Sequence, residues 1–95
     1  MMIALTPHQL KAVLHTVEAS EDAEHLSGGG FACDIYEVDP PIALEFYPVD
    51  GGLDVVAAFV LNYDEAMDGY YLGEKLETEQ AVLDAMRAWP PLEVH

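Results

Sequence analysis

Basic side chains are almost missing from this chain: three Lys and Arg stand against 18 Asp and Glu, a formal net charge of −15 in 95 residues. A surface with that balance repels phosphate, so direct binding to DNA, RNA or anionic lipid is disfavoured by the counterion argument that draws basic proteins onto them. Cysteine is equally scarce. Cys33 stands alone, which rules out an internal disulfide and makes a reducing, cytoplasmic setting the expectation. Long apolar runs are absent too: the longest mainly apolar stretch, Val55–Leu61, falls far short of the roughly 20 residues a membrane helix needs. Met1–Leu5 has neither the basic flank nor the length of a secretory signal. No glycine-rich phosphate loop of the G-x-G-x-x-G or G-x-x-x-x-G-K-[ST] kind occurs, and Ser20 and Ser27 have no nucleophile-elbow context.

What the chain does have is apolar substance: 52% of its residues are hydrophobic. Disorder pairs high charge with low hydrophobicity, so this composition predicts a folded chain, and its length predicts one domain spanning residues 1–95.

Thr6-Pro7-His8-Gln9 reads as a helix start, with Thr6 as N-cap, Pro7 at the first helical position and Gln9 completing a capping box. Leu5 and Leu10 have hydrophobic-staple spacing, and Leu10, Val13, Leu14 and Val17 continue one apolar stripe. The stripe fails after Val17. Ser27-Gly28-Gly29-Gly30 then ends any helix and reads as a flexible joint. From Phe31 the period changes to two: Phe31, Cys33 and Ile35 alternate with Ala32, Asp34 and Tyr36, then Ile42, Leu44 and Phe46 with Ala43, Glu45 and Tyr47. Pro48 points to an edge or a bulge. Asp50-Gly51-Gly52 is a turn signal, so the second strand and Leu53–Leu61 should form an antiparallel hairpin. That third strand is apolar on both faces, Leu53, Val55, Ala57, Phe59 and Leu61 on one and Val56, Ala58 and Val60 on the other, which makes it central or a contact surface. Asn62–Glu77 reads as a loop with a short strand at Tyr70-Tyr71-Leu72. Thr78 caps a last helix with Val82, Leu83, Met86 and Trp89 as its buried stripe, stopped by Pro90-Pro91. The order helix, strand, strand, strand, helix predicts an α+β fold: a small antiparallel sheet of three to four strands with the N-terminal and C-terminal helices packed on one face.

The carboxylates are the candidate functional groups. Glu18, Glu21, Asp22 and Glu24 form a run with no base among them, and placed after a helix ending near Ser20 they oppose its dipole by roughly 0.3 to 1 kcal/mol each. Helix stability does not account for them; solubility or recruitment of a basic partner does. Asp64, Glu65, Asp68 and Glu74 form a second group in the late loop. Asp64–Gly69 has the front half of a calcium loop, but Ala66 stands at its third position and Lys75 at its twelfth, so the ligand set is incomplete. His8, His15, His25 and His95 are scattered, without the spacing of a zinc site. Cys33, between apolar and acidic neighbours, reads as a buried strand cysteine and not a nucleophile. No carboxylate pair is marked out for hydrolytic chemistry, and the expectation is a chain that is not an enzyme and carries no metal or cofactor. Tyrosines lie beside the acids. Tyr70 and Tyr71 are the candidates for interface use, where rings supply contact area and carboxylates pair with Arg or Lys.

These observations predict a small acidic binding protein that occludes a basic, nucleic-acid-binding surface of a partner protein, a nuclease or nucleoprotein, with carboxylates standing in for phosphates. In size and charge the chain is similar to phage-encoded nucleic-acid mimics, some anti-CRISPR inhibitors among them; the similarity is one of general character and no residue motif carries it. An immunity protein or antitoxin against a basic nuclease toxin satisfies the same composition. A structural homodimer joined through Val56, Ala58 and Val60, with acidity serving solubility, is the reading from a different class.

Overall fold

The computed structural model describes residues 1–93; His95 lies outside them. The elements are β1 (Met2–Ala4), α1 (Pro7–Ala19), β2 (Glu24–Leu26), β3 (Gly30–Ile35), β4 (Ile42–Val49), β5 (Gly52–Asp64), β6 (Gly69–Lys75) and α2 (Glu79–Met86), followed by a 3₁₀ turn at Pro90–Glu93. The fold is α+β, and its sheet is fully antiparallel with six strands in place of the expected three to four. β5, β4, β3 and β2 lie side by side, and β1 and β6 share the other edge of β5, β1 against its first residues and β6 against its last.

Both helices start as the sequence predicts. Gln9 donates its backbone N–H to Thr6 Oγ1 at 3.1 Å and its side chain accepts from the Thr6 N–H at 3.0 Å, a complete capping box. Ala81 donates to Thr78 Oγ1 at 3.1 Å. Val13, Val17, Val82, Met86 and Trp89 join Phe31, Cys33, Ile35, Ile42, Leu44 and Phe46 in one core cluster, so the two helices cover the same face of the sheet. Burying such a side chain contributes roughly 1.5 to 3 kcal/mol, and this single layer of contacts is what the fold rests on.

Four local expectations need correction. Met2–Ala4 is a strand, hydrogen-bonded along Gly52–Asp54; three residues are too few to show a period. The segment read as a flexible joint is a hairpin turn: Glu24–Leu26 pairs with Gly30–Ala32, and Gly28 and Gly29 sit at φ 88° and 93°, conformations that glycine adopts at little cost. The late loop is also mostly strand, with Asn62–Asp64 extending β5 and the whole of Gly69–Lys75 pairing back onto it.

The fourth correction concerns the faces of β5. A bulge opposite Glu45 and Phe46 inserts Val56 between the partners Val55 and Ala57, and one extra residue exchanges the two faces downstream. Leu53 and Val55 point into the core, but after the bulge it is Ala58, opposite Leu44, that is buried there. Ala57, opposite Glu45, and Phe59, opposite Ala43, belong to the other face. Val56, Ala58 and Val60 therefore do not form a shared outer surface. β5 is central, with β4 on one side and β1 and β6 on the other, the first of the two readings its apolar faces allowed.

Candidate functional site

Because both helices serve one face, the opposite face of the sheet has no covering layer among the described residues. The cross-strand register decides which side chains meet there. Glu24 and Glu45 both lie directly opposite Ala32, one on each side, and Asp34 lies opposite Ala43. Two strand spacings separate Glu24 from Glu45, about 10 Å, with Asp34 roughly 7 Å further along the strand from Ala32. Asp22, in the turn that follows α1, completes the set: a groove of about 250 Å³ is lined by Asp22, Glu24, Asp34 and Glu45 together with Ala32, Ala43 and Leu72. The alanines keep its floor low. Leu72 belongs to β6, so the β5–β6 hairpin curls over this face to form one wall.

A row of three tyrosines extends the groove towards the β5–β6 turn. Tyr36 and Tyr70 have ring centroids 5.3 Å apart, and Tyr70 and Tyr63 the same. The row is bonded to carboxylates at both ends, since Tyr36 Oη donates to Asp34 Oδ2 at 3.3 Å and Tyr63 Oη donates to Asp68. Both phenols are held above the ordinary tyrosine range. For Tyr36 the loss of surrounding water comes first, followed by the charge of Asp34 and its hydrogen bond, with Asp22 adding; for Tyr63 the hydrogen bond to Asp68 comes first. The groove carboxylate Asp34 is thus linked to Asp68, in the β5–β6 turn, by the path Asp34, Tyr36, Tyr70, Tyr63, Asp68.

The expected site residues divide accordingly. Asp22 and Glu24 open onto the groove, Tyr70 stands in the aromatic row, and Asp68 ends it. Asp64 accepts from the Ala66 N–H at 2.9 Å and so shapes the turn, while Glu65 is exposed in it. Tyr71 pairs with Asn62 and points to the opposite side of the hairpin from Tyr70. Glu74 is exposed on β6. Glu18 lies elsewhere, on the outer surface of α1 beside Lys11 and His15, and Glu21 is exposed in the following turn. Asp34 and Glu45 were not among the expected site residues. Their outward alternation was readable, but their meeting depends on strand register and on β2, which pattern alone does not give.

Cations are far fewer than anions on this surface. Among the described residues the ion pairs are those of Asp54 with the N-terminal ammonium at 3.4 Å and Asp84 with Arg87 at 2.8 Å, and neither involves the groove. No group of three or more His, Cys, Asp or Glu among these residues is arranged to hold a metal ion. Cys33 is buried, and burial first, then the charges of Asp34 and Glu37, push its thiol up to about 12. It remains a protonated, unreactive thiol at neutral pH. No helix among the described residues is long and apolar enough to cross a membrane. No protein-family model, characterised protein or solved structure matches this chain, so the arrangement of these side chains is what speaks to function.

Proposed function

We propose that this chain is a small, non-catalytic acidic binding protein that occupies a basic, nucleic-acid-facing surface of a partner protein and blocks it. The observation that carries this reading is the open sheet face, where Asp22, Glu24, Asp34 and Glu45 converge around an alanine floor with no ion-pair partner among the described residues. Folding does not call for such a set. Carboxylates about 10 Å apart repel by roughly 0.4 kcal/mol per pair even in water, so the arrangement opposes stability slightly and its benefit lies in what it attracts. Guanidinium or ammonium groups arrayed for phosphates meet carboxylates with the same donors. The tyrosine row supplies rigid contact area, and its faces accept Arg through cation–π contact.

The test is capture with the intact chain followed by competition. The wild-type chain is expected to retain basic nucleic-acid-binding proteins from lysate at low salt and release them as ionic strength rises, and the recovered protein should lose its nucleic acid when the chain is added. Asp34→Lys with Glu45→Lys should abolish both effects, chiefly by slowing association, whereas Glu18→Lys on the outer surface of α1 should leave them intact. Equal capture by the Asp34/Glu45 variant would remove the basis of the reading.

A further inference from the structure

The two edges of the sheet are built differently. β2, at one edge, has three residues and carries Glu24 and His25, the short charged form that discourages pairing with other chains. β6, at the other, has seven residues, and its segment Gly69-Tyr70-Tyr71-Leu72-Gly73 carries no charge in a chain of net −15. Tyr70, Tyr71 and Leu72 are 46%, 51% and 58% exposed. Among the described residues β6 pairs only with β5.

Hydrogen-bond parity shows which backbone groups of β6 lie free. Leu61 donates to the Pro41 carbonyl at 2.8 Å, on the β4 side, so its neighbour Asn62 turns its amide towards β6, where Tyr71 is its partner. The amide and carbonyl of Tyr71 then point back to β5, and those of Tyr70 and Leu72 point away from the sheet. We propose that this outer edge of β6 pairs antiparallel with the same edge of a second copy, about a two-fold axis at Tyr71, joining two six-stranded sheets.

The segment is complementary to itself in that register. Tyr70 lies opposite Leu72 of the other copy, the two residues whose free amides and carbonyls can exchange hydrogen bonds, and Gly69 lies opposite Gly73. Tyr71 faces Tyr71 as a non-hydrogen-bonded pair, the position where side chains come closest. Charge favours the same occupant. Lys75 has no ion-pair partner among the described residues; it follows an irregularity in register between Leu72 and Lys75, and antiparallel pairing carries it past the uncharged segment towards the other copy's Glu65–Asp68 turn. Each copy thus brings one cation to the other's acidic turn, in a two-fold arrangement that closes on itself. The opposing effect is long-range repulsion between two molecules of charge −15, which added salt screens.

Sedimentation or light scattering of the full chain, from about 5 to about 500 µM at about 50 and about 500 mM NaCl, reads the outcome. The expected result is a dimer whose share rises with concentration and with salt. Leu72→Pro removes an amide that serves only the second copy and is compatible with an edge strand; it should weaken self-association at least tenfold with an unchanged circular dichroism spectrum. Should that variant fail to fold, Tyr71→Glu places like charges opposite each other and should weaken the dimer equally. A wild-type chain that stays monomeric at the highest concentration in high salt, or a dimer that persists in the folded variants, overturns the proposal. Leu72 also lines the groove, and the two readings are told apart by salt: added NaCl strengthens the dimer and weakens binding of a basic partner.

Discussion

Cys33 and the tyrosines show how much an individual residue's surroundings decide. The alternation around Phe31 made a buried thiol readable from the sequence, and Cys33 is indeed 8% exposed, in the core cluster. Its raised ionisation gives a pH dependence with a definite sign. A group whose folded-state value stands above its unfolded value of 9.0 contributes stability in full below pH 9, and that contribution is lost as pH rises towards about 12. Urea unfolding at pH 8 and pH 10.5 should therefore show an alkaline loss of stability that is smaller in Cys33→Ala, a substitution that itself lowers stability at pH 8 by about 1 kcal/mol. An alkaline loss equal in both proteins would assign it to the tyrosines alone. Tyrosine placement was only half legible. The acids beside Tyr63 and Tyr36 are sequence neighbours, but the ring-to-ring row through Tyr70 joins residues from three strands or their ends and has no local signature.

At the level of elements, legibility followed length and chemistry. α1, α2 and the β4–β5 hairpin have caps, stripes and a glycine turn, all of which act within a few residues, and all three stand where the sequence puts them. β1 and β2 are three residues each and exist through pairing with distant partners, so nothing local announces them. The bulge at Val56 is likewise a matter of register. β1 in turn explains a glycine: at Gly52 a Cβ would run into the backbone carbonyl of Ile3, which crosses there, while at Gly29 it would meet open space but with φ at 93°. Gly52→Ala is expected to destabilise by about 2 to 3 kcal/mol, since the obstacle is main chain, and Gly29→Ala by roughly 1 kcal/mol from its backbone conformation alone. Urea midpoints rank the two; an equal or reversed order would mean that β1 does not lie where it is drawn.

For the molecule as a whole, the question is whether the acids are spread for solubility or gathered for a partner. A charge excess of this size destabilises the compact state through self-repulsion wherever it sits. Gathering four carboxylates around one groove concentrates the effect, and function offers a reason for holding residues in an unfavourable place that stability does not. The two cases separate experimentally. Replacing Asp22, Glu24, Asp34 and Glu45 by their amides leaves side-chain shape almost unchanged and removes several repulsive pairs of roughly 0.4 kcal/mol each. The variant is expected to be more stable than wild type by about 1 to 2 kcal/mol in urea at low ionic strength, and to lose that advantage as NaCl screens the pairs. A less stable variant would mean that these carboxylates make stabilising bonds within the fold, and their convergence would then need no partner to explain it. A more stable variant that no longer displaces nucleic acid from the captured protein would show stability and recognition drawing on the same four side chains in opposite directions.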